Sequence, residues 1–283
     1  MSELALITGT THGIGRVTSR ELARAGKTVV MLCRDVAAAG AVRDEVRRHA
    51  PRASLEVVHC DLASMASVRQ AAAAVRRDYP PLGLLVNNAG MVSTRRRTSV
   101  DGFELTFATN HLGPFLLTAL LLDHLDAGAR IVTVASRIHY RGRLDLAAIT
   151  DAGVRYGATA AYAQSKLANV MHTFALARRM AGSGISVNCL HPGVVATNLL
   201  PRWLRVIKPL ITRVMFDAER GARTTIHLAL DSGVSGVTGR YFDEYQRPRD
   251  PAPLANDVAL QESLWKTSVA WTGAPQGSMD SRR

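Results

Sequence analysis

The sequence is poor in cysteine, lysine and aromatic residues. Three cysteines, Cys33, Cys60 and Cys189, stand far apart in 283 residues, with no CxxC pair and no metal-ligand spacing. That excludes a disulfide-stapled scaffold and a zinc module, and buried thiols in a reducing cytoplasm are expected. Only four of the 35 basic residues are lysine, a bias of composition as much as of function. The longest apolar runs, such as 115–122, fall far below the ~18 residues of a membrane span. No basic segment followed by an apolar one opens the chain. A cytoplasmic protein with no membrane contact is therefore expected.

Aromatic residues make up 5% of the chain, and none interleave with basic clusters as base stacking would need. The net charge of +12 is scattered over several segments, so no nucleic-acid partner is expected. The triplet Arg95-Arg96-Arg97 reads as a solvated loop. His12, His111 and His139 have no acidic or cysteine partners at ligand spacing, so no metal is expected.

What is present is an alternation. Short runs rich in Val, Ile and Leu occur at 4–8, 29–33, 55–59, 84–86, 131–135 and 185–190. They do not alternate with polar residues, as suits strands buried on both faces of a parallel sheet. Helical stretches lie between them, at 14–25, 36–48, 65–77, 103–125 and 160–181. The pattern predicts an α/β fold: one Rossmann domain over 1–271, a doubly wound parallel sheet of about seven strands, with helices on both faces. A substrate lid is expected at about 194–220, and a disordered tail at 272–283.

The first strand runs into Thr8-Gly9-Thr10-Thr11-His12-Gly13-Ile14-Gly15, and a helix pattern follows. A strand, a glycine turn and a helix N-terminus present bare N–H groups at a positive dipole end. Glycine lets a pyrophosphate approach the backbone. Gly9, Thr11, His12, Gly13, Ile14 and Gly15 are thus candidate dinucleotide contacts. After the second strand comes Arg34, where an acid would select NAD. A guanidinium there suits a 2′-phosphate, so NADP(H) is expected. Asp35 follows, either pairing with Arg34 or capping the next helix.

Ser136 ends the fifth strand, and Tyr162 and Lys166 lie four apart on one helix face. A lysine cation there would lower the phenol pKa from ~10. Such a tyrosine can pass a proton to or from a carbonyl oxygen that Ser136 holds in place.

From residue 3 to about 245 the chain resembles the short-chain dehydrogenase/reductase superfamily. The matching motifs are the glycine loop at 8–15, Asp61-Leu62, Asn87-Asn88-Ala89-Gly90, Asn110-His111-Leu112-Gly113, Ser136, Tyr162-Ala163-Gln164-Ser165-Lys166 and Pro192-Gly193. The resemblance implies a catalytic tetrad of Asn110, Ser136, Tyr162 and Lys166, with Tyr162 as acid/base and Lys166 on the nicotinamide ribose. It implies cofactor contacts at Asp61, Leu62, Asn88, Ala89, Gly90, Tyr162, Lys166, Pro192, Gly193, Val195 and Thr197. The segments MLCRD, NNAGMV, NHLGPFLLT and SRIHYRG look like the retinol-dehydrogenase-like subgroup, which also contains bacterial ketoreductases of aromatic polyketides.

Three segments should form the substrate pocket: residues 91–97, 137–156 and 194–220. Met91, His139 and Trp203 are its candidate contacts. The resemblance implies an NADPH-dependent ketoreductase for a bulky apolar ketone, of the anthracycline side-chain type. A soluble retinal or carbonyl reductase is the alternative, and a non-catalytic NADP(H)-binding regulator is a third reading. The partner is a small molecule, and the chain is a monomer or homodimer.

Overall fold

The computed structural model describes residues 2–193 and 217–275. Eight strands form one sheet in the order β3-β2-β1-β4-β5-β6-β7-β8. Their bounds are β1 Leu4–Thr8, β2 Thr28–Cys33, β3 Leu55–His59, β4 Leu82–Asn87, β5 Leu125–Val134, β6 Ser186–Leu190, β7 Arg240–Phe242 and β8 Pro248–Arg249. All neighbours pair in parallel except β7 and β8. The eighth strand, a two-residue antiparallel return, is one more than the sequence pattern indicates.

The helices are α1 Gly13–Arg24, α2 Val36–His49, α3 Met65–Asp78, α4 Leu105–Phe107, α5 Gly113–Leu121, α6 Ala147–Thr150, α7 Ala158–Arg179, α8 Ala218–Leu230 and α9 Val258–Thr272. Alternate residues of each strand feed two cores. Ala5 and Ile7 of β1 join Leu22 of α1, Val46 of α2 and Leu228 of α8. Leu4 and Leu6 join Val68 of α3, Leu116 of α5, Leu167 of α7 and Trp265 of α9. A sheet covered on both faces explains why its strands read as unbroken apolar runs.

The helix expected over 103–125 is interrupted. Between α4 and α5 lies a π turn, Ala108–Leu112, and the stretch ends where β5 begins, at Leu125. π turns are rare and concentrate at functional sites; this one carries Asn110. The stretch Leu105–His124 has the length and mean hydropathy (1.4) of a membrane span, yet 83% of it is buried inside the protein. It is a core helix.

The tail expected from 272 does not begin there. Thr272 and Ala274 are 4% and 6% exposed, and Arg69 donates to the carbonyls of Thr272 (2.7 Å) and Gly273 (2.9 Å). Residues 276–283 lie outside the described residues, as does the part of the expected lid at 194–216.

Candidate active site

The strand order reverses between β1 and β4, and ligands of such sheets bind beyond the carboxyl ends of the strands at that point. The glycine loop sits there, tied by the Thr8 side chain at the end of β1 and the Asn88 side chain just past β4. The Thr8 hydroxyl accepts the N–H groups of Asn88 (3.1 Å) and Ala89 (3.0 Å). Asn88 Nδ2 donates to the carbonyls of Thr8 (2.9 Å) and Gly9 (3.0 Å). The Asn88 side chain is therefore spent on the loop itself.

Two glycines are required by contact. A Cβ on Gly9 would lie 2.8 Å from the Ala89 Cα, and one on Gly15 would lie 2.0 Å from the Gly9 oxygen. Gly13 opens α1 at φ +58°. The N-terminus of α1 has no side-chain cap and no acid in its first turn. By contrast, Asp35 caps α2, accepting from the Ala38 N–H at 2.9 Å. An uncapped helix end beside a glycine cradle fits a pyrophosphate. Thr11 and Ile14 are half-buried and His12 is exposed at the same turn.

Asp35 is thus a cap and not a partner of Arg34. Arg34 is exposed and has no hydrogen bond or ion pair among the described residues. Asp61 closes its own turn by accepting the Ala63 N–H (3.0 Å). Leu62 packs on the helix start at Gly113, where a Cβ would lie 2.3 Å from the Leu62 oxygen.

The four tetrad residues converge beyond β4 and β5. Lys166 is 2% exposed, and its Nζ donates to the Val134 carbonyl at 2.7 Å and lies 5.7 Å from the Tyr162 ring centroid. A Cβ on Gly90 would lie 3.3 Å from that Nζ and 3.7 Å from Asn110 Oδ1. Gly90 therefore leaves room for the amine beside Asn110. Asn110 clamps Met91 from both sides: Oδ1 accepts its N–H (2.8 Å) and Nδ2 donates to its carbonyl (2.9 Å). Asn110 Nδ2 also donates to Ser165 Oγ (3.0 Å), which donates to the Tyr162 carbonyl (2.8 Å). Ser165 was not singled out from the sequence, although it stands inside the Tyr162–Lys166 motif.

One electrostatic expectation is corrected. Burial pushes the Tyr162 phenol up to about 12, with hydrogen bonding from Ser136 opposing it. Burial also lowers Lys166 to about 8. The Lys166 ammonium, which donates to the Val134 carbonyl, does not outweigh the burial of Tyr162. At neutral pH Tyr162 is a protonated phenol.

The expectation for His139 is also corrected. It is fully buried and both ring nitrogens are used. The Ala252 N–H donates to Nε2 (3.0 Å), so the proton sits on Nδ1, which donates to the Ser136 carbonyl (2.7 Å). A neutral ring so engaged has no hydrogen bond left for a substrate. It fixes the main chain at Ser136 instead. Of the other loop residues, Arg95 and Arg97 are exposed, whereas Arg96 donates to the Ala148 carbonyl of α6 (3.0 Å). Pro192 and Gly193 follow β6 after one residue, His191, and Gly193 takes φ +84°. Val195, Thr197 and Trp203 lie outside the described residues.

A glycine cradle at the switch point, joined to a Ser-Tyr-Lys group whose lysine is buried, defines a nucleotide-dependent oxidoreductase of the α/β class. The short chain dehydrogenase family matches residues 3–205, and the chain belongs to that family. It is an oxidoreductase of the CH–OH/C=O couple that uses a nicotinamide dinucleotide. It is 37% identical to retinol dehydrogenase 13 of Homo sapiens over 278 residues, 95% of this chain and 84% of that protein. A protein of uncharacterized function from Mycobacterium paratuberculosis has a crystal structure with TM-score 0.80 and 35% identity, covering 96% of this chain and 93% of that one. A blue fluorescent protein from a metagenomic library, solved with NADPH, has TM-score 0.68 and 28% identity, covering 85% and 95%.

Proposed function

We propose that the chain is an NADPH-dependent ketoreductase for a bulky apolar ketone of the anthracycline-type aromatic polyketide class. The observation that carries this reading is the assembly of Asn110, Ser136, Tyr162 and Lys166 at the carboxyl ends of β4 and β5. Arg34, exposed and unpaired among the described residues, supports the choice of NADPH. So does the bound NADPH of the blue fluorescent relative.

The glycine loop and the N-terminus of α1 would hold the pyrophosphate, and Arg34 the 2′-phosphate. Asp61 and Leu62 would flank the adenine, and Ala89, Gly90, Lys166, Pro192 and Gly193 the nicotinamide end. Val195 and Thr197 belong to the same proposed set. When bound, the dinucleotide supplies hydride to the carbonyl carbon.

The protein's own part is position and proton. Ser136 Oγ donates to the carbonyl oxygen and holds it against Tyr162. The protonated phenol then donates to the oxygen as its charge grows. Lys166, held by the Val134 carbonyl, lies close enough to stabilise the tyrosinate left behind. Reprotonation from solvent resets the group. The three buried, unpaired thiols suit a reducing cytoplasm.

A second reading, a retinal-type aldehyde, is favoured by the identity to retinol dehydrogenase 13. The test is NADPH consumption with aromatic polyketide ketones in one set, and retinal and simple aldehydes in the other, with NADH as control. Turnover confined to the polyketide set supports the proposal. Preference for retinal moves it to the second reading. Tight NADPH binding without turnover contradicts both and favours a regulator.

A further inference from the structure

His191 follows β6 and sits in register between β5 and β7. The Leu190 carbonyl accepts the Ala135 N–H (2.8 Å), and the His191 N–H donates to the Phe242 carbonyl (2.9 Å). Its backbone is thus fixed one strand away from Ser136. Its side chain is 4% exposed, and among the described residues neither ring nitrogen has a hydrogen-bond partner. Leaving a buried polar group unpaired is costly, so natural sites seldom keep one without a use.

The ring forms part of the wall of a cavity of about 560 Å³, together with Arg137, Arg141, Tyr241 and Glu244. Two other polar groups of that wall are already occupied. Asp243 accepts from the Tyr245 and Arg247 N–H groups and from Arg249. The Tyr140 hydroxyl donates to the Asp250 carbonyl. Among the described residues, the side chains of Arg137, Arg141 and Glu244 form no hydrogen bond or ion pair. The wall therefore offers one imidazole, two guanidiniums and one carboxylate without partners. Arg137 on this wall is the residue next to Ser136, and His191 follows Leu190, which pairs with Val134, so the cavity lies at the same carboxyl end of the sheet as the tetrad.

We propose that this cavity is a polar substrate subsite in which His191 pairs with a second oxygen function of the ketone, a hydroxyl or carbonyl remote from the reacting carbonyl. A neutral imidazole offers one donor and one acceptor, which is the complement of a hydroxyl. Its neutrality follows from burial, which lowers it to about 4 despite the nearby Glu244. A guanidinium of the wall supplies a further donor to the same oxygen. A wholly hydrocarbon substituent would leave the buried imidazole unpaired. This inference rests on the proposed carbonyl reduction and narrows its substrates to oxygenated ones.

The test compares α-tetralone with its isomeric ring-hydroxylated derivatives as NADPH-dependent substrates of the wild type, His191→Phe and His191→Asn. Affinity of the same compounds for the protein–NADP⁺ complex is measured by calorimetry in parallel. The wild type should favour at least one hydroxylated isomer by about tenfold or more in kcat/KM and in affinity. His191→Phe should shrink that ratio to within about twofold, and His191→Asn should restore part of it. NADPH affinity should not follow the ratio. Equal use or equal binding of parent and isomers by the wild type, absent binding included, overturns the subsite. So does a preference that survives in His191→Phe. Hydroxyl-dependent binding without turnover would sink the reductase reading and leave the subsite standing.

Discussion

The two halves of the site are built in opposite ways. The cofactor half is made of backbone: glycines packed against Ala89 and the Gly9 carbonyl, fastened by the Thr8 hydroxyl and the Asn88 amide. The proposed substrate half is made of side chains from distant segments, and several of them have no partner among the described residues. The first half is preorganised and tolerates no added atom. The second keeps polar capacity open for whatever enters. Binding a common cofactor demands the former, and choosing among carbonyl compounds demands the latter.

Three substitutions and one pH series separate the halves. The largest effect should come from Gly15→Ala, whose Cβ would lie 2.0 Å from the Gly9 oxygen and 2.5 Å from Asn88 Nδ2. Overpacking of this kind costs about 1–3 kcal/mol, or roughly 2–4 °C of Tm per kcal/mol. NADPH affinity should fall by about 100-fold, since a 1 Å misplacement can cost that much. Calorimetry of melting and of NADPH binding checks both. Arg34→Ala should weaken NADPH by roughly 10–100-fold, the worth of a charge-assisted hydrogen bond. NADH binding should hardly change, and equal losses for both would contradict the role of Arg34.

His139→Phe should lower kcat by about tenfold through the main chain at Ser136, leaving NADPH affinity intact. His139→Gln, able to accept from Ala252, should recover part of the rate. An unchanged kcat in the phenylalanine variant would leave His139 a packing residue.

The smallest effect is on stability against acid. Burial lowers His111 and His191 to about 4, below an unfolded value near 6.5. The unfolded chain binds more protons in that window, so stability is present above about pH 6.5 and is lost as pH falls toward 4. The slope is at most about 1.4 kcal/mol per pH unit for each group. Melting temperature followed from pH 7 to 4.5 should fall accordingly.

The contrast between halves also explains what could be read from the sequence. The glycine loop, Arg34, Ser136, Tyr162 and Lys166 were legible because each lies at a strand end or at a fixed helix spacing. The six longer strands were legible because burial on both faces demands unbroken apolar runs. Strands β7 and β8, of three and two residues, have too little length for a pattern. The π turn at Asn110 has no compositional mark. In the sequence His139 and His191 both stand just past a strand end. Only the neighbours, Ala252 for one and none for the other, separate the positioning ring from the unpaired one. His191 had a signal in its place before Pro192-Gly193, but its lack of partners emerges only when β7 is set beside β6. The turn of Lys166 toward Val134 depends on a backbone carbonyl of another element, which helix spacing does not reveal.

The central claim is that Tyr162 is the proton donor of a carbonyl reduction that the cofactor half alone cannot perform. Its most direct test is single-turnover NADPH oxidation by Tyr162→Phe, beside the wild type, with the best ketone of the substrate sets. A fall of ~10²–10⁴-fold in rate with NADPH affinity unchanged is the predicted result. Full activity in that variant would contradict it.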